Sequence, residues 1–309
     1  MSNKIMHAIK NDVSRRNFLK SGGKFLGGLM LAPKHIWIKD LIPDGSCRYK
    51  IAVADIMILK RQKIGAFDLT KEIGADGVEI DMGGLGNRES FENKLNNSVV
   101  RQEFLSKSKE TNVGISSLAM TGFYSQSFAT RATWQKNISD CITTMKAMKI
   151  KAAFLPLGVN SDLKKYPELR PSLVQRLRVA GKLAHDMKMV IGIETSLDAA
   201  DEVKFLRDIN SPGIKSYFNF ANALDAGRNV SEELKILGKE NLCQIHCTDT
   251  DGVWLQNDAK INMKEIKNTL DKMHWSGWLV IQRSRDMNDV HNVKYNFSAN
   301  TKYMKSIFQ

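Results

Sequence analysis

Four polar side chains stand at the ends of four consecutive predicted strands in the second half of the chain. They are Glu194, Asn219, His246 and Gln282. Carboxylate, amide and imidazole groups are ligands for divalent cations such as Mn²⁺, Mg²⁺, Zn²⁺ and Fe²⁺. Glu194 can also remove a proton beside a carbonyl group, and His246 or a cation can stabilise the resulting enolate. The series predicts one site, with Glu194 and His246 as catalytic residues and all four side chains as metal ligands.

The elements that must position these side chains are short apolar strands alternating with amphipathic segments of helical period. An open doubly wound sheet usually has fewer strands and a glycine-rich loop after the first one, whereas here Asp55–Lys60 follows that strand. Eight strand–helix units predict a (β/α)8 TIM barrel, an α/β fold, as a single domain over residues 49–309. The predicted strands are Tyr49–Ala54, Gly77–Asp81, Val113–Leu118, Ala152–Leu157, Met189–Glu194, Ser216–Phe220, Cys243–Cys247 and Trp278–Gln282. The clearest helical segments are Arg101–Glu110, Trp134–Met148, Leu173–Met187, Glu232–Leu237 and Ile266–Met273.

The carboxyl ends of barrel strands converge on one point above the barrel axis, where TIM-barrel enzymes place their chemistry. Any one of the four polar side chains, taken alone, is more often a helix cap or a hydrogen-bonded core residue. Four in register favour a shared site. Five further side chains in or beside the strand ends are predicted to bind substrate. For Trp254 the prediction is a flat apolar platform for a sugar ring, and an anchor for the surface loop is an equal alternative. These five are Glu79, Asn222, Asp249, Trp254 and Arg283.

The positive charge of the chain is concentrated at its N-terminus. The formal net charge is +13, of which residues 1–50 carry +7, from ten Lys and Arg and three Asp. The remaining basic residues are scattered, without the basic stripe that nucleic-acid binding requires, so no nucleic-acid partner is expected. The four cysteines show no CxxC pair and no zinc-finger spacing. They are expected to be small buried hydrophobic side chains.

Residues 1–48 are predicted to be an export signal and linker. Ser14–Lys20 contains Arg15 and Arg16 and resembles a twin-arginine motif, and the apolar stretch Phe25–Ala32 follows it. That stretch is far shorter than the roughly 20 residues of a membrane span, so no stable membrane span is expected. A basic disordered tail is the alternative. The export interpretation predicts a periplasmic protein.

From about Tyr49 to the C-terminus the sequence resembles the xylose isomerase-like barrels of the sugar phosphate isomerase/epimerase family. The sequence segments that carry the resemblance are Gly74–Ile80, Ile191–Glu194, Gln244–His246 and Gly277–Ile281. The resemblance implies Glu, Asp, His and Glu at four metal positions. This sequence has Glu194 and His246 at two of them, but Asn219 and Gln282 replace the other two carboxylates.

The two amides weaken what the resemblance implies about the metal. Glu194 is the single carboxylate at the four positions, so a divalent cation (Mn, Mg, Zn or Fe) is expected to bind weakly or to be absent. Gln282 cannot act as a base, so two-base epimerisation in its usual form is not expected. Glu194 can still serve a one-base aldose–ketose shift, a β-elimination or a hydration.

The leading functional hypothesis is a carbohydrate isomerase/epimerase-like enzyme that uses metal-assisted enolate chemistry on a sugar carbonyl. The first alternative, favoured by export, is a lyase or hydratase acting on keto-sugars or keto-glycosides. The second is a non-catalytic sugar-binding barrel with a degraded metal site. A DNA endonuclease on this fold would need several histidine ligands at strand ends, and His246 is the one such histidine among six. The expected partners are a small-molecule carbohydrate and, for a homo-oligomer, further copies of the chain.

Overall fold

The computed structural model describes residues 48–309, in which eight parallel strands form one closed barrel in sequence order. This confirms the predicted (β/α)8 TIM barrel. The observed and predicted strand bounds differ by at most two residues. The strands are β1 (Tyr49–Ala54), β2 (Gly77–Asp81), β3 (Gly114–Ala119), β4 (Ala152–Pro156), β5 (Val190–Glu194), β6 (Ile214–Asn219), β7 (Leu242–His246) and β8 (Gly277–Ile281).

The predicted site residues all lie at the carboxyl ends of their strands. Glu194, Asn219 and His246 are the last residues of β5, β6 and β7, and Gln282 directly follows β8. Asn219 pairs with His246 across the β6–β7 ladder. A register shift between Ser216 and Tyr217 in the same ladder adjusts β6 just before Asn219. The strand ends therefore converge as the sequence predicts.

Nine α-helices within residues 48–309 surround or cap the barrel. The predicted helix Trp134–Met148 is observed with the same bounds, and the other four predicted segments overlap helices of the barrel. The helices are α1 (Gly65–Ile73), α2 (Ser98–Thr111), α3 (Trp134–Met148), α4 (Arg170–Asp186), α5 (Ala199–Ile209), α6 (Phe220–Asp225), α7 (Val230–Leu237), α8 (Met263–Lys272) and α9 (Val293–Phe308).

Short polar side chains begin many of these helices. Asn97, Asp198, Asn229, Asn262 and Asn292 each precede a helix and accept a hydrogen bond from a backbone N–H of its first turn. Such caps satisfy amide groups that have no partner within the helix. They fix where the helices start and hence where the loops above the barrel run.

The apolar core has two layers. The larger cluster lies between the strands and the helices that surround them. A smaller cluster inside the barrel includes Phe154, Tyr217, Trp278 and Val280, all nearly inaccessible to solvent. Inward-facing side chains fill a barrel of this size, so its interior is a packed core that supports the site above it.

Other features of the described residues bear on the sequence analysis. Cys141, Cys243 and Cys247 are buried free thiols, as expected, and Cys47 lies outside the described residues. None of the helices within residues 48–309 is long and apolar enough to cross a membrane. The predicted export segment lies outside the described residues, apart from its last residue, Arg48.

Candidate functional site

A cavity of about 390 Å³ opens at the carboxyl ends of the strands. Its volume falls in the range of about 300–1000 Å³ that is usual for small-molecule sites. Most of the side chains that line it are polar. Six of the residues predicted from the sequence are on its wall. These are Glu194, Asn219, Asn222, Asp249, Gln282 and Arg283.

Glu194 lies on the floor of the cavity with 5% of its surface exposed. Its Oε1 accepts a hydrogen bond from the Tyr124 hydroxyl at 3.0 Å. Its Oε2 accepts one from the Asn219 side-chain amide at 2.8 Å and lies 3.3 Å from Nδ1 of His246. Three partners from different loops and strands thus fix the orientation of this carboxylate.

Asn219 ends β6 and caps the short helix α6. Its Oδ1 accepts a hydrogen bond from the backbone N–H of Ala221 at 2.9 Å, while its Nδ2 donates to Glu194. A backbone N–H can only donate, so the amide oxygen must face Ala221 and the NH₂ group must face the carboxylate. The side chain presents a donor to the centre of the site.

His246 is fully buried, directly below Glu194. Its Nδ1 faces Glu194, and its Nε2 lies 3.2 Å from Oε1 of Glu79. Burial, the largest single effect, lowers the pKa of the imidazole. The Glu79 and Glu194 carboxylates together outweigh burial and raise the pKa of His246 from 6.5 to about 9. The ring is therefore held as a cation between two carboxylates at neutral pH.

Glu79, in β2, completes this network one layer beneath the cavity. Its Oε2 accepts hydrogen bonds from the Ser117 hydroxyl at 2.8 Å and the Tyr217 hydroxyl at 2.7 Å. Burial raises the pKa of Glu79, but the charge of His246 and these hydrogen bonds together lower it below 4.5. The structure places Glu79 against His246, away from the cavity wall where the sequence analysis expected it to bind substrate.

The other predicted binding residues have different surroundings. Asn222 donates to the Thr195 carbonyl at 3.0 Å, and the buried Asp249 accepts a hydrogen bond from Lys260 at 2.8 Å. Arg283 is exposed on the cavity wall. Trp254 lies outside the cavity wall, because its indole N–H donates to Asn296 at 2.7 Å and directs the ring towards α9.

The loop between β3 and α3 supplies two cavity residues that the sequence analysis missed. Tyr124 lies beside Glu194, and Thr121 donates a hydrogen bond to the buried Asp81. Burial, followed by the charge of Glu194, raises the pKa of Tyr124 well above 10, so its hydroxyl remains protonated. The position of this loop after the third strand is the signal that could have directed attention to it.

The donors present do not fit a resident divalent cation. Within residues 48–309 no group of three or more His, Cys, Asp or Glu side chains is arranged to hold one. The oxygen of Asn219 is used by a backbone amide, and both ring nitrogens of His246 face carboxylates. Gln282 is uncharged.

The fold is that of a known family. The sequence model of the xylose isomerase-like TIM barrel family matches residues 67–306, and the chain belongs to that family. No curated protein is similar enough in sequence to count as a match.

Several solved structures have the same fold. A xylose isomerase domain protein from Planctomyces limnophilus aligns with a TM-score of 0.62 and 16% identity, covering 84% of this chain and 97% of its own. A D-psicose 3-epimerase from Clostridium cellulolyticum H10 gives a TM-score of 0.65 at 11% identity, covering 84% and 99% of the two chains. A D-allulose 3-epimerase from Methylomonas sp. gives 0.62 at 11% identity, covering 84% and 98%. At these identities the likeness establishes the fold.

Proposed function

We propose that the protein is a carbohydrate isomerase/epimerase-type enzyme that enolises a sugar carbonyl, with Glu194 as its base. The observation that carries this proposal is the Glu194 carboxylate, held on the floor of a polar cavity beside a protonated Tyr124 hydroxyl. Family membership and the sugar epimerases among the structural neighbours support the same class. A small-molecule carbohydrate is the proposed ligand.

The proposed step is a proton transfer to and from carbon. Glu194 takes the proton from the carbon next to the carbonyl, and the electrons of that C–H bond form an enediolate. Tyr124 has one hydroxyl hydrogen, which it donates to Glu194 at rest. Once Glu194 has taken up the proton, this hydroxyl can turn to the developing oxyanion and stabilise it. Glu194 then returns the proton to the former carbonyl carbon, while the proton of the adjacent hydroxyl group passes to the former carbonyl oxygen, which completes an aldose–ketose shift.

His246 has a supporting role in this scheme. It is fully buried beneath the carboxylate, so it acts on the substrate through Glu194. Together with Glu79 it is a positioning residue that sets the orientation and the surrounding charge of the base. The sequence predicts that His246 is catalytic and stabilises the enolate, whereas this scheme assigns it a positioning role instead.

The charge of the cavity favours an unphosphorylated sugar. Among residues 48–309, its wall carries the carboxylates of Glu194, Asp225 and Asp249 and the guanidinium of Arg283. Lys260 already pairs with Asp249. A phosphate group would therefore meet more negative than positive charge, whereas hydroxyl groups find both donors and acceptors.

A lyase acting on keto-sugars or keto-glycosides is the second candidate. The Tyr124 hydroxyl and the Glu194 carboxylate are 3.0 Å apart, so base and proton donor face the same side of the cavity. That placement suits elimination, in which one group removes the proton beside the carbonyl and the other protonates the departing oxygen. Hydration of the resulting double bond would use the same pair in reverse.

We also propose that the protein is exported and works in the periplasm, on the strength of Arg15, Arg16 and the apolar stretch after them. Unphosphorylated sugars are the form of carbohydrate that would be met there. A homo-oligomer remains a prediction.

Solvent exchange tests the proposed function. The full-length protein is incubated in D₂O with unphosphorylated ketoses and 3-keto-glycosides, and the recovered sugars are analysed by NMR and mass spectrometry. Deuterium at the carbon next to the carbonyl in a recovered isomer supports isomerisation, and a dehydrated product supports the lyase. Glu194→Gln should abolish either reaction, whereas Glu103→Gln, on the exposed face of α2, should not change it. Sugar binding without exchange or product would show a non-catalytic barrel.

A further inference from the structure

We infer that three of the four strand-end positions, together with two neighbouring side chains, hold a closed network of the protein's own side chains in place of a resident divalent cation. The network consists of Glu194, Asn219 and His246, with Glu79 below and Tyr124 above. The inference deepens the proposed function and rests on it only for the location of the substrate.

The first argument is the orientation of Asn219. Its oxygen, the atom that would coordinate a cation, accepts a hydrogen bond from the N–H of Ala221 and caps α6. The group that points into the site is the NH₂, which is a donor and cannot bind a metal. Rotation of the amide would leave the helix cap unmade and turn two donors towards each other.

The second argument is that His246 has no nitrogen free for a metal. Both of its ring nitrogens face carboxylate oxygens, at 3.3 Å for Glu194 and 3.2 Å for Glu79. The ring is also packed between aromatic side chains, with centroid distances of 4.6 Å to Phe154 and 4.4 Å to Tyr217. Rotating the imidazole would disrupt this packing and would leave the buried Glu79 carboxylate without its partner His246.

The third argument is that the network supplies the support that a cation would otherwise give to Glu194. Tyr124 and Asn219 donate to its two oxygens, and His246 lies below Oε2. The carboxylate is thus oriented by three protein groups, and the positively charged ring that lies beside it is shared with Glu79. Within residues 48–309, Glu194 is the one carboxylate at the four strand-end positions, so no carboxylate pair there requires a divalent ion for charge balance.

Restoring carboxylates at the two amide positions tests the inference. In Asn219→Asp/Gln282→Glu the Asp can still cap α6, since Asp and Asn are equally good caps. It also places a second carboxylate beside Glu194, so folding of the variant is verified by circular dichroism before the titration. The full-length wild type and this variant are titrated with Mn²⁺ by calorimetry, and metal content is measured after purification without chelators. We expect no bound metal in the wild type and at least about a tenfold gain in Mn²⁺ affinity in the variant, the smallest change usual for loss or gain of a metal-site partner.

A matched variant distinguishes the effect of the two strand-end positions from the effect of added negative charge. Asn222→Asp/Thr250→Glu adds the same charges to the cavity wall, away from the strand-end positions, and should not gain this affinity. Equal gains in the two variants would contradict the role given to the four positions. Stoichiometric Mn²⁺, Zn²⁺ or Fe²⁺ in the wild type, lost in Glu194→Gln, would overturn the inference.

The proposed function can fail separately from this inference. A metal-free wild type that exchanges deuterium equally well with and without EDTA supports both. A metal-free protein without activity on any sugar leaves the inference intact and removes the function. An active protein that needs a stoichiometric metal removes the inference alone.

Discussion

The imidazole of His246 lies directly beneath the carboxylate of Glu194, with Nδ1 and Oε2 3.3 Å apart. Its other nitrogen faces Glu79 at 3.2 Å, so one buried ring links two buried carboxylates. Each carboxylate has further hydrogen-bond donors, but His246 supplies the charge that both need in a low-dielectric interior. The stability of the site and the orientation of its base therefore depend on the same side chain.

Replacing His246 should destabilise the whole barrel. His246→Asn removes the positive charge between Glu79 and Glu194, and removal of one partner from a buried ion pair typically costs about 3–5 kcal/mol. The free energy of unfolding is measured by denaturant titration at pH 7. The exposed His291→Asn serves as the control and should change stability by less than about 0.5 kcal/mol. Equal stability of the two variants would show that His246 does not link the carboxylates.

A second buried carboxyl group makes stability depend on pH. Burial of Glu202, in α5, raises its pKa from 4.5 to about 7, although the Thr195 hydroxyl donates to it at 2.7 Å. Because the pKa is raised in the folded state, this contribution to stability is complete below about pH 4.5 and is lost as the pH rises through 7. Over that range the loss is about 3 kcal/mol.

The variant Glu202→Gln should not show this loss. Its stability relative to wild type is therefore expected to increase between pH 4.5 and 7.5, as measured by urea unfolding at several pH values. The control Glu103→Gln should differ from wild type by the same small amount at every pH. A Glu202→Gln difference that stays constant with pH would rule out a raised pKa for this group.

The packing around β5 predicts that Gly192 cannot be replaced by a larger residue without loss of stability. A Cβ added at Gly192 would lie 2.4 Å from Sγ of Cys243 and 2.9 Å from Cβ of Tyr217, inside the barrel. Gly192→Ala should therefore destabilise the fold by about 1–3 kcal/mol, the usual cost of overpacking. At Gly65, in the first turn of α1, an added Cβ meets no atom within 4 Å. Gly65→Ala should be neutral or stabilising in the same thermal or denaturant assay, and a reversed order would contradict the packing described.

The charge of the cavity predicts selectivity between sugars. An unphosphorylated ketose should bind more tightly than its phosphate ester, because Asp225 and Glu194 repel the phosphate. Binding of both ligands is measured by calorimetry at low ionic strength. Asp225→Asn should reduce the difference in binding free energy between the ketose and its phosphate ester. The reduction should be up to about 1 kcal/mol, as expected for one surface charge. Preference of the wild type for the phosphate ester would reverse this interpretation of the cavity.

Much of the fold could be predicted because it follows from local patterns. Buried strands leave short apolar runs, and α3 shows a regular apolar face from Trp134 to Met148, so both are visible in the sequence. The helix α6 was not predicted, since its six residues are too few for a helical period to be recognised. Its start is set by the Asn219 side chain, whose role depends on tertiary position.

The site could be predicted in part for the same reason. Glu194, Asn219, His246 and Gln282 are at strand ends, and barrel geometry alone brings strand ends together. Tyr124 reaches Glu194 through a loop, and the interaction of Glu79 with His246 crosses the barrel, so neither contact has a signal in local spacing. The indole of Trp254 is directed away by Asn296, a partner far along the chain.

A crystal structure of Glu194→Gln with a bound unphosphorylated ketose tests the central claim most directly. The account predicts the sugar in the cavity, with the carbon next to its carbonyl about 3–3.5 Å from the side chain at position 194. The Tyr124 hydroxyl should contact an oxygen of the same carbonyl or of its neighbour. A sugar ordered in the cavity with its reactive carbons turned away from both side chains would contradict the assignment of Glu194 as the base.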